Sequence, residues 1–230
     1  CIRDSGCSFP QRAAVWMGAD VFVQRMGFTV QEKSAQCVRV QYRFGVPGVP
    51  GAQVEMIYTV EAQGALRLDA VYHGVPGAPE LPCFGIKFET AAPVVRTRWT
   101  GLSGETYPDR CKGGVFGCHE EPPHIEPALV PQDCGLHMDT QQVNLQLADG
   151  KTLTLESTGE AFAFSALPNT AQQIEAAQHP CELPETGRTC VTVLGAARGV
   201  GGIDSWGTDV EAPYHVNGEQ QHSVSLRILL

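Results

Sequence analysis

The stretch "VNLQLADGKTLTLES" (residues 143–157) indicates the fold most clearly. Apolar and polar residues alternate in two short runs, and Asp149 and Gly150 lie between them. Alternation with a period of two is typical of a strand that buries one face, and Asp-Gly between such runs is a strong signal for a two-residue hairpin turn. The stretch therefore predicts two antiparallel strands joined by a tight turn.

The same alternation recurs along most of the chain. It occurs in "CVRVQYRF" (37–44), "ALRLDAVY" (65–72), "CFGIKFET" (83–90) and "SVSLRILL" (223–230). Helical periodicity is scarce, and only "PNTAQQIEAAQH" (168–179) predicts a short helix, with Asn169 or Thr170 as its N-cap and its end near Gln178. We therefore expect an all-β fold, a single large antiparallel β-sandwich over residues 1–230 with long loops and one short helix.

Composition narrows the possible partners. The 230 residues are 43% hydrophobic and carry a formal net charge of −9, without basic runs. An acidic chain of this kind argues against nucleic acid and anionic membranes as partners. No apolar run approaches the roughly 18 residues of a membrane span, and no signal peptide is recognisable, so we expect a cytoplasmic protein.

Nine cysteines raise the question of disulfides or zinc, but no C-x-x-C occurs. The nearest approaches to a metal pattern are "CKGGVFGCHE" (111–120) and "CGLH" (134–137), whereas structural zinc sites pair closely spaced ligands twice. We therefore expect reduced cysteines without zinc. The opening "CIRDSGCSFP" (1–10) lacks Met and has the composition of a loop, which favours a piece of a longer chain.

One segment has an unusual composition for an ordinary turn. "ARGVGGIDSWGTD" (197–209) places Trp206 at the end of a glycine-rich run, between polar and glycine neighbours. Glycine-rich loops permit unusual backbone angles and often carry function. Two interpretations are open from the local sequence: Trp206 folds back to close the core, or it is displayed for a binding partner.

Four segments together resemble one family, the β-galactosidases of glycoside hydrolase family 2. "WTGLSGETYPDR" (99–110) is similar to the family's W-x-G-x-G-P-x-E-x-Y-x-D-R, and "VPQDCGLH" (130–137) to its P-Q-E-x-G. "FSALPNTAQQIEAAQHPCELPE" (164–185) resembles F-S-x-x-x-Y-[ST]-x-x-x-L-x-x-x-x-H, and "GVGGIDSW" (199–206) resembles G-x-G-G-D-D-S-W. All four occur in the family's order.

The resemblance covers the family's last domain, a large sandwich of the galactose mutarotase-like supersandwich type. It is good over residues 50–230 and weakest over residues 1–50. It implies that Trp206, with Asp204, Ser205 and Gly202, contributes to substrate binding, and that Gly6 belongs to a mobile loop beside the active site. Glu105, Asp109 and Arg110 are expected to form a hydrogen-bonded corner that fixes their own loop.

The resemblance also implies that catalysis lies elsewhere. The family's two catalytic glutamates belong to a (β/α)₈ barrel that precedes this domain, and such a barrel needs about 250 residues of its own. We therefore expect no catalytic residue here and no hydrolysis by this chain alone. The implied partners are the catalytic barrel or a separate large subunit, the β-galactoside substrate, and further subunits of an oligomer. The Mg²⁺ and Na⁺ of the family are assigned to the catalytic domain, with no cofactor in this chain.

Three other functions are compatible with the sequence. A stand-alone enzyme such as an aldose epimerase shares the supersandwich fold and uses a His–Glu acid/base pair. An independent carbohydrate-binding module would bind galactosides without a partner. The third alternative is a purely structural domain that supports assembly, and this role is compatible with the family interpretation.

Overall fold

The computed structural model describes residues 9–123 and 129–230. Three short α-helices occur in this part of the chain: α1 (Phe9–Ala13), α2 (Ala19–Phe22) and α3 (Ala171–Ala176). Three 3-10 turns lie at Ala14–Trp16, Pro180–Glu182 and Ala212–Tyr214.

Strands dominate the described chain. Their bounds are β1 (Gln24–Lys33), β2 (Cys37–Gly45), β3 (Gln53–Glu61), β4 (Leu66–Tyr72), β5 (Cys83–Glu89), β6 (Val94–Leu102), β7 (Phe116–Glu121), β8 (His137–Thr140), β9 (Gln142–Leu147), β10 (Thr152–Ser157), β11 (Phe162–Leu167), β12 (Cys190–Ala197) and β13 (His222–Leu229).

The described strands form two sheets with antiparallel pairing throughout. The large sheet has nine strands in the order β1-β2-β3-β4-β13-β10-β9-β6-β7, and the small sheet has four in the order β5-β12-β11-β8. Across the two layers, β5 lies against β4 and β13, β12 against β13, and β8 against β6. This arrangement confirms the prediction of an all-β antiparallel sandwich.

The core lies between the small sheet and the middle of the large one. It joins side chains such as Leu145, Leu155 and Leu226 of the large sheet to Phe164 and Val193 of the small sheet, all of them fully buried. The small sheet covers the large sheet only from β4 to β6, so β1, β2 and β3 extend beyond it.

The hairpin predicted at 143–157 is confirmed. β9 and β10 pair with Val143 opposite Leu155 and Leu145 opposite Leu153, which puts these apolar residues on one buried face. Gly150 has φ 87°, in the left-handed region that favours glycine in such a turn.

The helix predicted near residue 170 is also confirmed, as α3. Thr170 caps it, because its hydroxyl accepts a hydrogen bond from the Gln173 amide while the Gln173 side chain accepts one from the Thr170 amide. The sequence does not predict α1 and α2, which are too short to show a helical period. None of the helices in the described ranges has the length and hydropathy needed to cross a bilayer.

The described cysteines are spread over different elements. Cys37, Cys83, Cys111, Cys118, Cys181 and Cys190 are present as thiols. Burial, and to a lesser extent nearby carboxylates, raise the pKa of Cys83 to about 11, so this thiol stays protonated at neutral pH.

Candidate functional site

The glycine-rich loop, residues 198–209, follows β12 and is held at its base by one buried carboxylate. The side chain of Asp109 is only 4% exposed. Its Oδ1 accepts a hydrogen bond from the Val200 amide at 2.9 Å, and its Oδ2 accepts one from the Gly201 amide at 2.9 Å. The neighbouring Arg110 donates to the Gly201 carbonyl, so two successive residues hold the amide and the carbonyl of Gly201.

The glycines of the loop are required by this close contact. A Cβ at Gly199 would lie 2.8 Å from Cγ of Asp109 and 2.9 Å from Cβ of Tyr214, which is too close for any larger residue. Gly201 and Gly202 have φ of 72° and 68°, a conformation that other residues adopt only with strain. The glycine-rich composition therefore allows the loop to pack closely against Asp109 and to turn sharply afterwards.

A second anchor joins the two ends of the loop. The Arg198 side chain is 6% exposed, and its Nε donates to Glu80 at 2.8 Å. Its Nη2 donates to Asp209, the last loop residue, and its Nη1 donates to the Gly199 carbonyl at 3.2 Å. The guanidinium lies 4.0 Å from the centre of the Phe9 ring. Arg198 thus holds the start and the end of the loop at a fixed separation.

Further charges surround this anchor. Arg12 donates to Asp209 at 2.7 Å, and His215 Nδ1 lies 2.7 Å from Glu80. Burial alone would raise the pKa of Asp209. Hydrogen bonds from Arg12 and from the Val210 amide, together with the charge of Arg198, outweigh this effect, so the pKa of Asp209 is lowered. The base of the loop is therefore a network of compensated charges.

The tip of the loop is ordered by its own aspartate. Asp204 Oδ1 accepts from the amides of Trp206 at 2.9 Å and Thr208 at 3.2 Å, and Oδ2 accepts from the Thr208 hydroxyl at 2.6 Å. The hydrogen bond from the Thr208 hydroxyl, followed by those from the backbone amides, lowers the pKa of Asp204. Such an Asx-type turn gives the tip a defined conformation without a core beneath it.

Trp206 projects from this ordered tip into solvent. Trp206 is 88% exposed, so its side chain does not close the core of this chain. Ile203, two positions before Ser205, is 49% exposed. An indole held by an ordered loop and left uncovered is a surface suited to an apolar or aromatic-stacking partner.

The predicted binding residues other than Gly6 lie on the glycine-rich loop. Trp206, Asp204, Ser205 and Gly202 lie together on the exposed half of the loop, although all three described hydrogen bonds of the Asp204 carboxylate stay within the loop. Gly6 lies outside the described residues. The anchors Asp109, Arg110 and Arg198 were not predicted to hold this loop.

The corner predicted for Glu105, Asp109 and Arg110 differs from the arrangement in the structure. Glu105 accepts a hydrogen bond from the Tyr107 hydroxyl within its own segment, whereas Asp109 and Arg110 reach across to residues 200 and 201. The Gly201 amide that Asp109 binds lies 92 positions further along the chain, so this partner cannot be identified from the local pattern.

Acidic residues elsewhere are engaged with basic ones. Glu120 contacts Arg96 at 2.8 Å and Arg98 at 3.4 Å, while Glu121 Oε1 lies 3.0 Å from Nε2 of His137. Within residues 9–123 and 129–230, no group of three or more His, Cys, Asp or Glu side chains is placed to hold a metal ion.

The His137–Glu121 pair is the arrangement that an epimerase would require, but His137 is only 2% exposed. Its Nδ1 contacts the Gly104 carbonyl at 2.8 Å, and its ring packs 4.3 Å from that of Trp99, which is itself 3% exposed. Trp99 and His137 are therefore both buried residues of this chain.

Comparison with known proteins places these features in context. Residues 4–228 match the family model described as the β-galactosidase small chain. The chain is 38% identical to the β-galactosidase small subunit of Latilactobacillus sakei, over 98% of this chain and 80% of that subunit. It is 30% identical to the β-galactosidase of Streptococcus thermophilus, over 98% of this chain but only 22% of that enzyme. The chain thus spans about a fifth of the length of the latter relative.

Two solved structures are similar at lower identity. One, described as a putative aldose 1-epimerase from Escherichia coli K12, is 12% identical with a TM-score of 0.42, covering 87% of this chain and 67% of that one. The other, described as a galactose mutarotase related enzyme from Lactobacillus acidophilus, is 8% identical with a TM-score of 0.40, covering 87% and 70%.

Proposed function

Since this chain belongs to the β-galactosidase small-chain family, we propose that it is the non-catalytic small chain, or C-terminal domain, of a retaining β-galactosidase. In this proposal it completes the sugar or aglycone site at the mouth of a separate catalytic barrel and supports assembly of the enzyme. The observation that carries the proposal is Trp206, 88% exposed at the tip of a loop whose base is held by Asp109 and Arg198.

The indole would act as a stacking surface for a pyranose ring. The flat aromatic face matches the apolar C–H face of the sugar, and a tryptophan loses little conformational entropy on binding. The ordering of the loop supports this role, because a binding group held in position before binding has less freedom to lose. The exposed Ser205 and Gly202 lie on the same half of the loop, where they leave access to the ring.

The chemistry itself would come from the partner. A retaining mechanism needs two carboxyl groups about 5–5.5 Å apart, one as nucleophile and one as acid/base. In this chain Glu120 and Glu121 are engaged by arginines and by the buried His137. We assign the two catalytic carboxylates, and the Mg²⁺ and Na⁺ that the family implies, to the catalytic chain.

The proposal is tested by reconstitution. A chromogenic β-galactoside is given to three samples: the purified chain alone, the large chain of the same enzyme alone, and the two chains together. We expect hydrolysis only when both chains are present. Turnover by the purified chain that is lost in Glu121→Gln would refute a non-catalytic role. Mutarotation of galactose by the isolated chain would favour the epimerase alternative, and tight galactoside binding without a partner would favour a carbohydrate-binding module.

A further inference from the structure

An arm of the chain, residues 9–22, lies outside the two sheets and is attached to the sandwich at separate points. It contains α1, the first 3-10 turn and α2. Near its middle, Trp16 packs against the core and donates from Nε1 to the Glu80 carbonyl at 2.9 Å. At its end, Asp20 pairs with Lys87 of β5. The first part of the arm reaches a different place, the base of the glycine-rich loop.

Two residues of α1 make this contact with the loop. Arg12 Nη2 donates to Oδ2 of Asp209 at 2.7 Å and lies 3.9 Å from Oε2 of Glu80. The centre of the Phe9 ring lies 4.0 Å from the guanidinium carbon of Arg198, whose side chain is 6% exposed. An aromatic face attracts such a cation and keeps water from it, so the hydrogen bonds of Arg198 are screened less. The arm therefore contacts both residues whose side chains pair to close the loop.

The contact with Asp209 affects the tip of the loop directly. Asp209 follows Thr208, which donates to the same Asp204 carboxylate that accepts the Trp206 amide. Both oxygens of the Asp209 carboxylate accept hydrogen bonds, and Arg12 supplies the one to Oδ2. Because so few residues separate this carboxylate from the indole, a change in how Asp209 is held also moves the turn that carries Trp206.

The bond from Arg12 matters more for the order of the loop than for the stability of the fold. The side chains of Arg12 and Asp209 are 45% and 27% exposed, and ion pairs this exposed add little to the free energy of unfolding. Burial raises the pKa of Asp209, and the hydrogen bond from Arg12 is the largest of the effects that lower it. A loop end is held by few bonds, so losing one changes the fraction of molecules in the held conformation.

We propose that Phe9 and Arg12 are positioning residues of the sugar site: through Arg198 and Asp209 they fix the orientation in which Trp206 meets the substrate. The inference rests on the proposed function, in which the indole is the stacking surface. In this role neither residue needs to touch the sugar. A segment that is distant in sequence, with 197 positions between Arg12 and Asp209, thus takes part in presenting the indole.

The first test measures the order of the loop in this chain, without substrate or large chain. Arg12→Ala removes the bond to Asp209. Asp20→Ala is the matched control, because it removes an exposed ion pair at the other end of the same arm. We expect exchange of the Trp206 and Thr208 amide hydrogens to become roughly two- to fivefold faster in Arg12→Ala and to stay unchanged in Asp20→Ala. Both variants should melt like the native chain.

The second test uses the reconstituted enzyme and asks whether Arg12 acts through Trp206. We expect Arg12→Ala to lower kcat/KM roughly two- to fivefold, because a smaller fraction of molecules holds the indole in place. In a chain that already carries Trp206→Ala, the same change should have no further effect. Arg12→Lys, which keeps the charge and can still donate to Asp209, should recover most of the loss. Phe9→Leu is a second variant, with an expected loss in the same direction because the aromatic face is gone.

Three outcomes would count against the proposal. Amide exchange and kcat/KM of Arg12→Ala that match those of Asp20→Ala would overturn it. So would an equal loss of kcat/KM from Arg12→Ala in the native and in the Trp206→Ala background, since Arg12 would then act on assembly or stability and not on the indole. If Trp206→Ala itself leaves kcat/KM unchanged, the proposed function fails first and the positioning role falls with it.

Discussion

The carboxylate of Asp109 accepts a hydrogen bond of 2.9 Å from the amide of Gly201, 92 positions further along the chain. The same carboxylate accepts another from the Val200 amide, and Arg110 donates to the carbonyl of Gly201. A segment between β6 and β7 therefore determines where the glycine-rich loop leaves the sandwich. Since Trp206 lies five residues beyond this contact, its position depends on Asp109 as well as on its own neighbours.

Replacement of Asp109 is expected to loosen the loop. Asp109→Asn removes one of two acceptors and turns an amide NH₂ toward a backbone N–H in a buried position. We expect a loss of roughly 1–3 kcal/mol in the free energy of unfolding by urea, and faster proteolysis within residues 198–209. Glu89→Gln, which changes only the exposed pair with Arg188, serves as control and should cost less than about 1 kcal/mol. Equal effects of the two variants would contradict the assigned role of Asp109.

The Arg198–Glu80 pair gives a second prediction, on stability alone. Both side chains are largely buried, at 6% and 12% exposed, so removing Arg198 leaves the carboxylates of Glu80 and Asp209 with less compensating charge, supplied by Arg12 and His215. We expect Arg198→Met to lower the free energy of unfolding by about 3–5 kcal/mol. Adding Glu80→Gln should recover part of that loss, because one of the two carboxylates that lost a partner is then neutral. Strictly additive losses in the double variant would show that the pair is not coupled.

The ordered tip of the loop should respond to acid. The pKa of Asp204 lies below its ordinary value of 3.8 because the Thr208 hydroxyl and nearby amides donate to the ionised carboxylate. The ordering is therefore present above about pH 4 and is lost as the pH falls through the lowered pKa. We expect the amide resonance of Thr208 to titrate with a midpoint below 3.8, and Thr208→Val to move the Asp204 midpoint upward. A native midpoint at or above 3.8 would disprove these contacts.

Features encoded by local pattern were predictable from the sequence. The Asp149-Gly150 hairpin and α3 depend on alternation, turn chemistry and capping, all of which lie within a few residues. The unusual surroundings of Trp206 indicated that it could be displayed rather than buried, but the local sequence left both interpretations open. Its exposure of 88% excludes the first interpretation, that it closes the core of this chain, and leaves the binding role as a prediction.

Features that depend on distant contacts were not predictable. Nothing near Asp109 identifies Val200 and Gly201 as its partners, and nothing near Arg198 identifies Glu80, because these contacts form only when the sheets are assembled. The exposure of apolar residues such as Phe28 and Val30 on β1 was missed for a related reason. "CVRVQYRF" (37–44) alternates as a buried strand does, and alternation does not reveal whether another layer covers the apolar side.

The central claim is that Trp206 binds sugar in the assembled enzyme and does not support the fold. Trp99 provides the matched control, because it is 3% exposed in the core. Trp99→Ala should cost the isolated chain about 3–5 kcal/mol and lower its melting temperature markedly. Trp206→Ala should leave that temperature unchanged, since this residue is 88% exposed.

The most direct measurement is therefore kcat/KM of three reconstituted enzymes, which contain the native chain, Trp206→Ala or Trp206→Phe. In each of them the same fraction of the large chain must carry the small chain. Stacking worth roughly 1–3 kcal/mol predicts a five- to hundredfold loss for Trp206→Ala. Trp206→Phe should recover part of it, because a smaller aromatic face remains. An unchanged kcat/KM for Trp206→Ala, in enzyme that assembles as well as the native pair, would contradict the account.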